Sequence, residues 1–269
     1  GRGTGAATQA LGADKGLVLW SMGDVFKDRL DSAHKNIGDW LGNTDDHPKG
    51  RTITKEQLSV ADDRKFVGFD SYQKVIDSGA GSLYWIGEPG NAANLMSKLK
   101  EQGWKGVALN ETNVYDAVFF SQGPAAVDGS VIRLGFHPFE EADKWPAIKQ
   151  YQDNLKKYVP DGKEAALGLQ STSAWLLFAT AAKDCGDQND GVISRDCILE
   201  RAAEQKDWTA GGTHVPTDPG GDEPPECGML MVVKGDGFER LWPEIGGEDD
   251  DQDGDGFGVR GLHPDCNDT

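Results

Sequence analysis

Short apolar runs alternate along this chain with amphipathic stretches of helical period. Residues 17 to 20, LVLW, read as a first strand, followed by SMGD and a helix over VFKDRLDSAHKNIGDWL, where Phe26, Leu30, Ile37 and Leu41 recur at near-helical spacing. The polar stretch GNTDDHPKGR breaks the pattern; SYQKVIDSG then predicts a second helix and SLYWIG a second strand. A third helix, NAANLMSKLKEQG, ends at Gly103, a residue suited to a left-handed cap, and KGVALN reads as the third strand.

The pattern continues with a strand inside GSVIRLGFHPF, an amphipathic helix over PAIKQYQDNLKKYVP, and a mostly apolar helix over ALGLQSTSAWLLFATAAKDC that is expected to lie buried between layers. His137, between two aromatics and beside Pro138, reads as a packed turn residue. Ser194 is the expected N-cap of a last helix, and GMLMVVKGDGFERLW predicts a hairpin turned by KGDG. Strands alternating with helices at this spacing predict an α/β fold, a Rossmann-like parallel sheet with helices on both faces. Ligands of such sheets sit outside the carboxyl ends of the strands, so SMGDVF, GEPGN and NETNVYD are expected to share one rim.

Composition narrows the classes. The 269 residues, 37% hydrophobic, suffice for one large or two modest cores. The longest apolar run, AWLLFATAA, is less than half of the ~20 residues a membrane span needs. A formal net charge of -18 opposes binding to phosphate backbones, which removes nucleic acid as a partner. Cys185 and Cys197 flank a turn-rich loop of a size that a local disulfide closes, which implies an oxidising compartment; two buried free thiols are the alternative.

The order of elements resembles the type I solute-binding proteins of bacterial ABC importers, the leucine/isoleucine/valine-binding kind. The similarity is carried by ALGADKGLVLWSMGDVFKDRL, DSGAGSLYWIGEPGNAANLMSKLKEQGWKGVALNETNVYD, FHPFEEADKWPAIKQYQDNLKKY, GLQSTSAWLLFATAAKDCG and the closing hairpin. It spans residues 6 to 243 and matches the later part of a family member. Family members clamp a ligand between two lobes, so the resemblance implies a second lobe here, with the first in preceding polypeptide or on another chain. It also implies ligand contacts at Phe26, Glu88, Asn91 and Glu111, the last meeting the ammonium of an amino acid. Phe26 stands where tyrosine is common, and Lys27 where glycine usually follows it.

Residues 1 to 245 form the expected α/β region, and 246 to 269 a separate acidic tail. The tail resembles Asp-rich calcium repeats of the thrombospondin type 3 sort. Asp251, Asp253 and Asp255, followed by Gly256, place carboxylates at alternate positions around one hard cation, and Asp265, Asn267 and Asp268 complete the shell or hold a second ion. Leu262 occupies the position where an EF-hand would carry glutamate, so calcium is expected in an irregular loop, or the like charges leave the tail disordered.

Two functions follow. One is an extracytoplasmic receptor of an ABC importer for an amino acid or similar small polar solute, meeting a transporter permease. The other is a calcium-binding surface or matrix protein that reuses the fold and meets a neighbouring surface protein. No G-x-S-x-G, P-loop or H-E-x-x-H pattern occurs, and the five histidines fall in no ligand spacing, so the chain does not read as an enzyme.

Overall fold

A computed structural model describes residues 11, 16–39, 53–221 and 228–245. The acidic tail, with Asp251, Asp253, Asp255, Asp265, Asn267 and Asp268, lies outside the described residues, as does Leu41. The chain divides into two compact units, Gly1–Ile86 with Leu99–Ala108 and Gly87–Lys98 with Leu109–Thr269.

In the first unit, β1 (Met22–Asp24) precedes α1 (Lys27–Gly38), β2 (Lys65–Val67), α2 (Ser71–Asp77) and β3 (Ser82–Trp85). β1 and β2 pair in parallel, Gly23 opposite Phe66, as a sheet of their own. A side chain at Gly23 would meet Val75 Cγ2 at 3.0 Å and Ser71 Cβ at 3.2 Å, so glycine is what lets α2 lie against β1. Leu11, Ile37, Ile53 and Leu58 form a core, with Leu19 and Met22 packed against it.

Two expectations are corrected here. The apolar run at 17 to 20 is not the strand: Leu19 N–H donates to Gln57 O at 2.7 Å, Trp20 Nε1 to Ser78 O at 2.8 Å, and Arg64 lies 3.8 Å over the Trp20 ring. These bonds run to a turn and a helix end, not to a ladder. Part of the expected loop SMGDVF is therefore itself β1, in a sheet separate from β3 and β4.

α3 (Pro89–Glu101) opens in the second unit, and Gly103 takes the left-handed conformation expected of it, with φ +77°. β4 (Val107–Asn110), β5 (Val131–Leu134), β6 (Met229–Lys234) and β7 (Gly237–Trp242) continue a sheet ordered β3-β4-β5-β6-β7. β4 and β5 are parallel; the predicted hairpin is present and adds β6 and β7 antiparallel, so the layer is not parallel throughout. Ile132 opposite Met231 and Leu134 opposite Met229 bury one face almost completely.

Three helices follow the one-turn α4 (Pro124–Val127): α5 (Pro146–Tyr158), α6 (Ala166–Gln188) and α7 (Arg195–Ala203). Ser194 caps α7 as expected, accepting from Cys197 N–H at 3.3 Å, and Cys185 and Cys197 are disulfide-bonded. α6 corrects a third expectation. Leu169, Ser173, Ala181 and Cys185 are buried, whereas Leu167, Trp175, Leu176 and Phe178 are exposed, so only one side of this helix is covered.

Candidate functional site

β4 ends at Asn110, and because β4 and β5 are parallel, the loops that follow them leave the same edge of the sheet. Asn110 Nδ2 donates to Val131 O at 3.2 Å and Thr112 Oγ1 to Arg133 O at 2.8 Å, fastening the start of the β4 loop to β5. Asn113 Nδ2 donates to Gly87 O, which ties the β4 loop to the turn after β3. A side chain at Gly90 would stand 3.5 Å from Val118 Cγ1, so the start of α3 also runs beside the β4 loop.

Tyr115 makes the third junction. Its hydroxyl donates to the Glu140 carboxylate and accepts from Phe139 N–H at 2.8 Å, while its ring stacks on Phe139 and meets Phe238 edge-on at 4.7 Å. Burial, the Glu140 charge and the hydrogen bond to it push the Tyr115 hydroxyl far above its ordinary range. Burial likewise raises the Glu140 carboxyl, against the hydrogen bond from Tyr115. Asp116 accepts from Val118 N–H at 2.9 Å and pairs with Lys163 at 2.6 Å.

A bidentate ion pair stands behind this rim. Arg240 Nε and Nη2 donate to the two Glu141 oxygens at 2.9 and 2.8 Å, and Trp145 Nε1 donates to Glu141 at 2.9 Å. Burial alone would raise the Glu141 carboxyl, but the Arg240 and Trp145 hydrogen bonds outweigh it and hold the carboxyl below its usual range.

The expected ligand residues separate. Glu111 lies at the β4 edge, where its carboxylate accepts from Thr112 N–H at 3.4 Å and faces Arg133 at 3.7 Å. Glu88 and Asn91 are exposed, just before and within the first turn of α3, on the loop that Asn113 ties to the β4 edge. Phe26 is in the first unit, exposed at the N-cap of α1, with Arg29 5.0 Å from its ring centroid. The structure thus brings Glu111 and the Glu88–Asn91 turn to one edge of the second unit. Tyr115, Glu140 and Arg133 on that edge were not among the expected ligand residues; NETNVYD, which holds Tyr115, and FHPFEE, which holds Glu140, each follow a strand, whereas Arg133 inside its strand carries no local signal.

His137 is the packed turn residue expected, its N–H donating to Thr213 O at 3.0 Å and its ring stacked 3.8 Å from Trp145. Cavities lie elsewhere: one of about 700 Å³ beside Asn189, Ser194, Cys197 and Arg201, another of about 390 Å³ beside Glu141, Lys144 and Arg240. Among the described residues, no group of three or more His, Cys, Asp or Glu side chains is placed to hold a metal, and no helix is long and apolar enough to cross a membrane.

No family model matches the chain, and no curated protein matches its sequence. Solved structures do match in fold. A leucine binding protein, LivK, from Thermotoga maritima is 18% identical with a TM-score of 0.53, over 68% of this chain and 51% of that one. A branched chain amino acid ABC transporter protein from Thermus thermophilus, with bound valine, is 13% identical with a TM-score of 0.55, over 80% and 63%. An extracellular ligand-binding receptor from Rhodopseudomonas palustris is 14% identical with a TM-score of 0.58, over 88% and 66%. The chain thus spans between 51% and 66% of the length of these three structures.

Proposed function

We propose that this chain, with the α/β fold of these periplasmic binding proteins, is a solute-binding protein that works outside the cytoplasm for an ABC importer. Its ligand is an amino acid or a similar small polar solute. The observation that carries this reading is the fastening of the turn after β3 to the loop after β4, which gathers Glu88, Asn91 and Glu111 at one sheet edge. Glu111 is the group expected to meet a solute ammonium, exchanging its long contact with Arg133 for a shorter charge-assisted bond. The Phe26 contact rests on the resemblance alone and is tested separately, by Phe26→Ala.

Isothermal titration with leucine, valine and a panel of polar amino acids tests the reading. Glu111→Gln is expected to weaken binding more than about tenfold, the value of one charge-assisted hydrogen bond, with the thermal midpoint unchanged. An affinity that does not move removes Glu111 from the site.

A second reading is a calcium-binding structural role for the tail, favoured by the alternate spacing of Asp251, Asp253 and Asp255 before Gly256. Terbium luminescence on the full chain, competed by calcium and abolished by Asp253→Asn with Asp255→Asn, is its test. Absence of competition ends it.

A further inference from the structure

Glu111 and Arg133 come from neighbouring strands and share one face of the sheet. Leu109 lies opposite Val131 and Asn110 opposite Ile132, and the same parallel register carried one step on sets Glu111 opposite Arg133. Ala108, Asn110, Ile132 and Leu134 are buried, so the alternation along a strand turns Glu111 and Arg133 to the other face, where their side chains are 23% and 40% exposed. The backbone holds both in place. Glu111 keeps an extended conformation past the end of β4 and accepts from Thr112 N–H, while Thr112 Oγ1 donates to Arg133 O at 2.8 Å. The charged ends stop 3.7 Å apart, Arg133 Nη1 to Glu111 Oε2, which is too long for a hydrogen bond. An exposed pair of this length adds little to stability. It does set a cation and an anion side by side at the rim, the cation a flat guanidinium fork suited to a carboxylate.

We propose that Arg133 binds the α-carboxylate of the solute, so that Glu111 and Arg133 together read the zwitterionic head of an α-amino acid and leave its side chain to be read by other groups. The inference rests on the solute-binding reading and deepens it. The ammonium and the carboxylate of an α-amino acid are bonded to the same carbon, so they lie side by side as the ends of Glu111 and Arg133 do. Laid against the pair with ammonium to Glu111 and carboxylate to Arg133, the head replaces one long contact with charge-assisted hydrogen bonds to both residues. A solute amine without a carboxylate would face the Arg133 charge, and a carboxylate without an amine would face Glu111, so the pair favours the zwitterion over either ion. The net charge of -18 repels a carboxylate from most of this chain, which makes a cation beside Glu111 the place for it to settle.

Isothermal titration of the full chain with leucine, valine, serine and glutamate, and with the α-carboxamide of each, tests it at a pH that keeps the amines charged. In the parent, each amino acid that binds should do so about tenfold or more tighter than its carboxamide, which lacks the carboxylate charge. Arg133→Met should weaken those amino acids about tenfold or more and by similar factors, leave the carboxamides within about twofold, and leave the thermal midpoint unchanged. Arg133→Lys, which keeps the charge but not the fork, should fall between the two. If Arg133→Met does not fold, the lysine variant and the comparison of acid with carboxamide in the parent still decide the matter. Loss confined to glutamate would place Arg133 against a solute side chain and overturn the proposal, as would equal losses for acids and carboxamides. Amino acids that bind and respond to Glu111→Gln but not to Arg133→Met overturn this inference alone. A parent that binds none of the eight compounds overturns the solute-binding reading for amino acids, and this inference with it.

Discussion

Tyr115 shows how one side chain can join two loops at a sheet edge. Its hydroxyl is acceptor for Phe139 N–H and donor to Glu140, so the β4 and β5 loops share one oxygen. Tyr115→Phe keeps the ring packing and leaves two polar groups without that partner, so it should destabilise the protein by about 1 to 3 kcal/mol in urea titration. A larger effect is expected at Arg240, which fixes both oxygens of a Glu141 carboxylate that is only 13% exposed. Arg240→Met strands that carboxylate and should cost about 3 kcal/mol, whereas Arg240→Met with Glu141→Leu should recover most of the loss. If the double variant is no better than the single one, the ion pair is not what holds the loop. At this scale the sequence was partly legible. Glu111 stands out as the first charge after a strand, but Tyr115 finds its partners 24 and 25 residues later, and no local pattern announces a contact of that reach.

Helices announce themselves because their signals are local. Pro89 and Pro146 at first turns, Ser194 as N-cap and Gly103 after α3 each act within one turn of where they stand, and these helices form where the pattern places them. Ser194→Ala should therefore cost about 1 kcal/mol, read as a drop in thermal midpoint with the Cys185–Cys197 disulfide intact. The short strands were less legible. β2 is the three residues Lys65–Val67 directly after the charged turn Asp62–Arg64, too brief to show a period, and it exists because β1 lies beside it. α6 fails in the opposite sense: its composition is apolar enough for a buried helix, but composition reports what a surface needs and not what supplies the cover.

For the whole chain, the informative variable is pH, because among the described residues of the second unit His137 and His214 are buried. His214 Nε2 lies 2.7 Å from Ser173 Oγ, its Nδ1 lies 2.7 Å from Val215 O, and Trp208 Nε1 donates to the same serine at 3.1 Å. Burial pushes the His214 imidazole down, against the Val215 carbonyl. Burial first, then the Arg240 charge, takes His137 from 6.5 to about 3. In both cases the unfolded chain binds the proton more readily than the folded one, so stability rises with pH. The contribution is complete above pH 6.5, the ordinary histidine value, and for His137 is lost as the pH falls from there toward 3. Each histidine adds at most about 1.4 kcal/mol per pH unit within its window. Glu140 acts against this just above pH 4.5, since a carboxyl raised by burial favours the folded state while protonated and loses that advantage as the pH rises. Relief of the net charge of -18 also favours the folded chain in acid, so the histidine term must be isolated by difference. Urea midpoints of the parent and of His214→Gln, measured at steps from pH 7.5 to about 5, a range set by the histidine window, supply that difference. The parent should lose stability more steeply on acidification than the variant, the gap between them narrowing as the pH falls. Parallel profiles would mean that His214 takes up its proton in the folded chain as easily as in water, and that the serine–histidine–tryptophan cluster does not hold it neutral.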